Sequence, residues 1–176
     1  PQHCYIHKCV INLNGPTPNS FETGILANSN FYSSDNISTQ LDTLHITNSQ
    51  GKIKSLIITN CQISNCMNGI SVIGRIASNQ NSIEDIRIGG LGANEGNDLL
   101  SIGNESGVNY EFGIGLFIKT TINDSCINNT IHINNNLPSE ADLCGIYTFD
   151  LSGSLFIHGN NISISTLDST YEQNIA

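Results

Sequence analysis

The sequence predicts an all-β protein, because its composition disfavours helices and its apolar residues recur in short alternating runs. The 176-residue chain contains 27 Ile and 25 Asn but only 5 Ala and no Trp. Ile is β-branched and suits the pleated surface of a strand, whereas Asn and the 16 Gly favour turns. Only 12% of the residues are charged, so Asn, Ser and Thr must form much of the surface.

Ten short apolar runs predict individual strands. Most of them alternate apolar and polar residues over three to five positions, which is typical of half-buried strands, and Asn, Gly and Ser lie between them. No segment has the apolar spacing of an amphipathic helix. The runs are 44–46, 55–58, 70–73, 86–88, 99–102, 116–118, 131–133, 146–149, 155–157 and 162–164.

A repeated Gly-Ile pair predicts that the strands belong to a solenoid. The pair begins at Gly24, Gly69, Gly113 and Gly145, at separations of 45, 44 and 32 residues. A separation near 44 equals two coils of about 22 residues in a parallel β-solenoid. The third interval departs from this period, so a β-sandwich stays open as the alternative fold.

The segments 68–74 (NGISVIG) and 144–149 (CGIYTF), with the asparagine run 134–136, resemble the right-handed parallel β-helix family, also called pectin-lyase-like. The resemblance covers residues 20–165. It implies an elongated stack of coils with inward Ile, Val and Leu and with Asn in the turns. The catalytic motifs of that family have no counterpart here, so the resemblance is to a non-catalytic surface or adhesin-type member.

We predict a single β-helical domain over residues 1–176. Its core spans about 20–165, and residues 1–19 and 166–176 could be caps or the ends of a fragment. The chain starts with Pro1 and shows no hydrophobic leader, which suggests a processed or excised segment. Uncapped coil ends would predict self-association through those ends.

The charge balance argues against two classes of partner. Fifteen acidic and six basic residues give a net charge of -9, so no basic footprint for nucleic acid is present. No apolar stretch approaches the roughly 18 residues of a membrane-spanning helix, so we predict no membrane insertion.

Six cysteines predict disulfides in an oxidising compartment, with buried free thiols as the alternative. Pairing of Cys61 with Cys66, and of Cys126 with Cys144, requires loops that bring each pair together. The spacings lack the Cys-x-x-Cys motif of a zinc site, so we predict neither a metal nor another cofactor. The six candidates are Cys4, Cys9, Cys61, Cys66, Cys126 and Cys144.

Three basic or titratable residues predict an outward binding stripe. His45, Arg87 and His132 occupy the same place in three copies of the repeat, each between aliphatic residues that point inward. The alternative is that they are ordinary solvent-facing positions on strands.

No catalytic residues are predicted. Glu84 and Asp85 are adjacent and would point to opposite faces of a strand, and Glu140 and Asp142 follow a proline. The Gly-rich loop around Glu95 could bind calcium but lacks the regular acidic spacing of a calcium loop.

We therefore predict a non-enzymatic, secreted or cell-surface β-helix module that makes structural or adhesive contacts with proteins or glycans. One alternative is a carbohydrate-active protein of the same fold, either a polysaccharide lyase or hydrolase or a phage tailspike-like protein, with sugar-binding loops around Glu95 or Glu140. Another is a subunit that stacks into a larger assembly. The tyrosines available to stack on sugars are Tyr5, Tyr32, Tyr110, Tyr147 and Tyr171.

Overall fold

The computed structural model describes residues 3–13, 23–28, 53–74, 83–103, 112–119, 121–135, 142–149 and 151–166. In these ranges the chain forms sixteen β-strands and no helix, which confirms the all-β prediction. None of the described residues belongs to a helix that could cross a membrane. The strands are β1 (Cys4–His7), β2 (Val10–Asn12), β3 (Thr23–Asn28), β4 (Ile53–Lys54), β5 (Leu56–Thr59), β6 (Gln62–Cys66), β7 (Asn68–Ile73), β8 (Ile83–Glu84), β9 (Arg87–Gly89), β10 (Asp98–Ile102), β11 (Phe112–Lys119), β12 (Ile122–Ile127), β13 (Thr130–Asn135), β14 (Asp142–Phe149), β15 (Ser152–His158) and β16 (Asn161–Thr166).

Nine of the ten predicted runs overlap these strands, and the tenth, 44–46, lies outside the described residues. Residues 4–12, which the prediction placed before the repeated core, also form strands. Cys4, Ile6, Cys9 and Ile11 from this segment pack against the main hydrophobic core. The core therefore includes this N-terminal segment.

The strands form three sheets in which every pair runs parallel. The first sheet has the order β1-β5-β9-β12-β8-β4, with β15 also paired to β12; the second is β16-β13-β10-β6-β2; the third is β14-β11-β7-β3. Along the chain, strands enter the first, second and third sheets in the same repeating order. Sandwiches are built from antiparallel sheets, so the parallel pairing argues against the β-sandwich alternative.

Single residues in left-handed conformation interrupt the first sheet at equivalent places. Ser55 (φ 56°) separates β4 from β5, and Asp85 (φ 57°) lies between β8 and β9. Because β8 and β9 are two parts of one line of chain, β12 pairs with both of them.

The pairing register shows that the predicted period of 22 residues is wrong. Cys4 pairs with Leu56, 52 positions later, whereas Phe112 pairs with Asp142, 30 positions later. All other pairs in the described sheets fall between these separations. Chain segments of unequal length connect strands that pair directly, so no constant period appears in the sequence.

A column of glycines in the third sheet explains the irregular Gly-Ile repeat. Ile25, Ile70, Leu116 and Ile146 are successive pairing partners, so the glycine before each belongs to one column. The third member is therefore Gly115 and not Gly113 as predicted. A Cβ on any of these glycines would meet an aliphatic side chain of the second sheet, which shows that the column makes room for that sheet. The contacts are Gly24 with Ile63, Gly69 with Leu99, Gly115 with Ile131 and Gly145 with Ile162.

The main core lies between the three sheets. Ile58 from the first sheet, Ile63 from the second and Ile70 from the third are all fully buried in one cluster. A second, smaller cluster of Ile73, Ile114 and Phe117 belongs to the third sheet and is separate from the first.

An asparagine ladder, formed by Asn97, Asn129 and Asn160, connects the turns that precede the second sheet. The Asn97 Nδ2 donates to the Ile58 carbonyl (2.9 Å) and to the Asn129 Oδ1 (2.9 Å). The Asn129 Nδ2 donates in the same way to the Ile88 carbonyl (3.0 Å) and to the Asn160 Oδ1 (2.9 Å). These bonds satisfy buried polar groups that sheet pairing leaves open.

Candidate functional site

The most distinctive surface is an aromatic face on the third sheet, which we define as Phe117, Lys119, Tyr147 and Phe149. Phe117 and Tyr147 are pairing partners, and so are Lys119 and Phe149. The Phe117 and Tyr147 rings stack with centroids 5.5 Å apart and planes 12° from parallel. The Lys119 Nζ lies 5.2 Å from the centroid of the Phe149 ring.

The aromatic face has a buried side and an exposed side. Phe117 is buried, whereas Tyr147 and Phe149 are 43% and 51% exposed. Exposed rings next to a cation can stack on the apolar face of a sugar, and exposed apolar groups of this kind mark interaction surfaces. Of the tyrosines proposed for sugar stacking, Tyr147 belongs to this face. Tyr5 is exposed elsewhere and stacks on His7, and residues 32, 110 and 171 lie outside the described residues.

A second exposed apolar surface lies on β15, at the edge of the first sheet. Leu155 pairs with the buried Asp124, and Ile157 pairs with the buried Cys126. Leu155 and Ile157 are nevertheless 38% and 50% exposed, and Phe156 between them is 55% exposed. The side chains that continue two core columns are thus open to solvent at this edge.

The predicted stripe of His45, Arg87 and His132 is not assembled in the structure. Arg87 belongs to β9 in the first sheet, and His132 belongs to β13 in the second. His45 lies outside the described residues. The His132 Nδ1 hydrogen-bonds to the Ser163 Oγ (2.5 Å), a strand-to-strand contact. A binding role for each residue separately stays a prediction.

The acidic residues considered for chemistry are engaged in structural contacts. Glu84 forms an ion pair with Lys54 (3.4 Å), and Asp85 accepts a hydrogen bond from Asn123 (3.4 Å). The Glu95 Oε2 accepts a hydrogen bond from the Gly92 N (3.1 Å), closing its own turn. Within the described ranges no group of three His, Cys, Asp or Glu residues could hold a metal ion. Residue 140 lies outside those ranges.

All six cysteines are free thiols in the structure, so the predicted disulfides are not seen. Cys61 and Cys66 lie at opposite ends of β6, about 16 Å apart at 3.3 Å per residue, which is too far for a bond. Cys126 belongs to the main core, whereas Cys144 packs against the separate cluster of the third sheet. Burial raises the pKa of the Cys126 thiol to about 12, with a further contribution from Asp124.

Asp124 is a buried carboxyl group that the sequence analysis did not select. It is 3% exposed and pairs with Leu155 on β15. The Thr121 Oγ1 donates to its Oδ2 (2.5 Å), whereas its Oδ1 has no hydrogen-bond partner. Burial is the main cause that raises the pKa of Asp124, the Thr121 hydrogen bond lowers it, and the charge of Asp85 raises it further. The alternation of Ile122, Asp124 and Cys126 along β12 is a sequence signal that could have identified this inward position.

We expect Asp124→Asn to stabilise the protein at neutral pH. A pKa raised in the folded state means that the stability contributed by Asp124 is present below its unfolded pKa and is lost as pH rises through its folded pKa. Asn keeps an acceptor for Thr121 without a buried charge. The gain in unfolding free energy should be near zero at pH 3.5 and reach roughly 1–3 kcal/mol at pH 7.

Urea unfolding of both proteins across this pH range measures the difference. Asp98→Asn is the matched control, because Asp98 is exposed on β10 and its replacement should change stability by less than about 0.5 kcal/mol. A gain that does not depend on pH would contradict the expected titration of Asp124.

Comparison with known proteins finds no similarity: no protein-family model, no curated protein and no solved structure matches this chain. The resemblance to the pectin-lyase-like family therefore stays a prediction. Functional conclusions depend on the surfaces described above.

Proposed function

We propose that this chain is a non-enzymatic, extracellular or cell-surface module of the parallel β-helix type, and that its aromatic face binds glycans. The observation that carries the proposal is the cluster of Phe117, Tyr147 and Phe149 with the Lys119 ammonium group beside it. Two of the three rings are about half exposed, so a ligand can reach them.

Three features support the β-helix as the architecture behind this surface. The chain enters three parallel sheets in a constant order, as successive coils of a β-helix do. The glycine column fits the third sheet against the second. The asparagine ladder repeats the same side-chain contacts from one turn to the next. In this architecture the aromatic face is a flat side of the rod.

The chemistry of the aromatic face favours sugars that combine an apolar face with a negative charge. Tyr147 and Phe149 offer ring faces for the C–H groups of a pyranose. Lys119 places a positive charge next to them, which would attract the carboxylate of a uronic acid. The protein carries a net charge of -9, so this local cation matters for an acidic ligand.

Isothermal titration calorimetry of the full chain with neutral and uronic-acid oligosaccharides tests the proposal. We expect binding to at least one class, and we expect Tyr147→Ala and Phe149→Ala each to weaken it by about tenfold, since the loss of one stacking contact costs roughly 0.5–1.5 kcal/mol. Tyr5→Ala is the matched control, because it removes an exposed tyrosine from the first sheet instead. No binding to either class, or equal weakening by Tyr5→Ala, would refute glycan recognition by this face.

The exposed edge of β15 favours a second candidate function, a subunit that stacks into a larger assembly. Leu155 and Ile157 continue core columns but remain accessible, and an unpaired strand edge is a template for another strand. The mass of the chain in solution, measured by light scattering over serial dilution, distinguishes the two functions. A stacking subunit would self-associate with increasing concentration, and a glycan-binding module that acts alone would remain monomeric.

A further inference from the structure

Two cysteines occupy the positions where the asparagine ladder would continue. The backbone N of Asn97 donates to the Asn129 Oδ1 (3.1 Å), and the backbone N of Cys61 donates in the same way to the Asn97 Oδ1 (3.0 Å). Cys61 therefore lies next to Asn97 in the column. The neighbour of Cys61 on the opposite side is Cys9.

The register of β2 and β6 places Cys9 and Cys61 directly side by side. Val10 pairs with Gln62, and the Gln62 N donates to the Cys9 carbonyl (2.8 Å), so the residues immediately before these strands are neighbours. Neighbouring parallel strands are about 4.8 Å apart, which lies within the Cα separations of about 4.4–6.8 Å found in disulfides.

The two thiols also point in the same direction. The Cys9 Sγ lies 3.7 Å from the His7 carbonyl oxygen, and the Cys61 Sγ lies 3.4 Å from the Thr59 carbonyl oxygen. His7 and Thr59 are themselves pairing partners, so the two contacts are equivalent. The Cys61 Sγ also lies 3.9 Å from the carbonyl oxygen of Ile6, on the strand that precedes Cys9.

No other cysteine in the described part of the chain has a cysteine as its strand neighbour. Each of the other four pairs with an aliphatic residue, which isolates its sulfur from a second thiol. These pairs are Cys4 with Leu56, Cys66 with Ile102, Cys126 with Ile88 and Cys144 with Ile114.

We propose that Cys9 and Cys61 are a redox-active thiol pair that forms a disulfide when the protein meets an oxidised low-molecular-weight thiol. In the first step the partly buried Cys9 thiolate attacks glutathione disulfide, forming a Cys9–glutathione mixed disulfide and releasing one glutathione thiolate. In the second step the Cys61 sulfur attacks the Cys9 sulfur, and the second glutathione leaves with the proton of Cys61. The two cysteines are oxidised by two electrons and one glutathione disulfide is reduced to two thiols.

The side chain of Cys61 is suited to the second step and not to the first. Burial raises the pKa of the Cys61 thiol, and its contact with Cys9 raises it further, so Cys61 is a poor nucleophile toward a reagent in solution. Cys9 is more exposed than Cys61. The neighbouring position of the two sulfurs then makes their reaction intramolecular.

A Cys9–Cys61 bond would close a loop that contains residues 10–60. Cross-links that close long loops restrict the unfolded chain strongly. The bond would therefore fix the N-terminal strands β1 and β2 to β5 and β6, which they already contact.

The test is to equilibrate the full chain with glutathione disulfide, block the remaining thiols and map the linked peptides by mass spectrometry. We expect a Cys9–Cys61 cross-link and a rise in the melting temperature of roughly 5–15 °C over the reduced protein. Cys9→Ser should abolish both, whereas Cys126→Ser should retain the cross-link.

The peptide map of the natural sequence decides the proposal even if a variant fails to fold. Glutathione attached to Cys9 without the internal bond, a cross-link between another pair of cysteines, or six unmodified thiols at equilibrium would each overturn it. Because the readout is covalent, the result is independent of whether the aromatic face binds glycans.

Discussion

Asn129→Ala is expected to lower the free energy of unfolding by roughly 3–5 kcal/mol. Asn129 is fully buried at the centre of the asparagine ladder. Its Oδ1 accepts hydrogen bonds from the N (3.1 Å) and the Nδ2 (2.9 Å) of Asn97, and its Nδ2 donates to the Ile88 carbonyl (3.0 Å). Alanine leaves these buried groups without that partner, and each unsatisfied group costs about 1–3 kcal/mol.

Chemical denaturation with equal protein concentrations measures this loss. Asn134→Ala is the matched control, because the Asn134 Oδ1 accepts an exposed hydrogen bond from the Ser165 Oγ (2.6 Å) on the neighbouring strand. We expect the control to lose less than about 1 kcal/mol, since water replaces an exposed partner. Equal losses in the two variants would mean that the ladder does not contribute more than an ordinary surface contact.

Gly115→Ala is expected to destabilise the protein by about 3 kcal/mol or to prevent folding. A Cβ at this position would lie 2.4 Å from the Ile131 Cγ2 and 2.6 Å from the Gly145 carbonyl oxygen. Both distances are shorter than any normal contact, and Gly145 is held by the neighbouring strand β14. Overpacking of a rigid core costs about 1–3 kcal/mol, and displacement of a paired backbone adds to that cost.

Thermal unfolding of the variant and of Gly92→Ala separates steric conflict from the general effect of replacing glycine. The Cβ of the control would lie 3.2 Å from the Glu95 side chain, which is exposed and can move. We expect the melting temperature of Gly92→Ala to stay within a few degrees of the natural sequence. A similar small effect for Gly115→Ala would show that the second and third sheets are not in close contact at this column.

The candidate site was only partly predictable from the sequence. Tyr147 was available as a stacking residue, but its contact with Phe117 depends on a register 30 positions long. The same register places Lys119 beside Phe149. Sequence reasoning also placed Arg87 and His132 in one stripe, because it compared similar local patterns without knowing which sheet each strand joins.

The all-β class and the strand positions were determined by the sequence itself. They follow from local properties, since alternation within a run such as 116–118 places side chains on the two faces of a strand. Which strands become neighbours was decided only in the tertiary structure. Pairing partners lie 30 to 52 residues apart along connections of unequal length, so a local pattern contains no information about them. For the same reason Gly115 rather than Gly113 enters the glycine column, Asn97 and Asn129 meet in one ladder, and Cys9 lies beside Cys61.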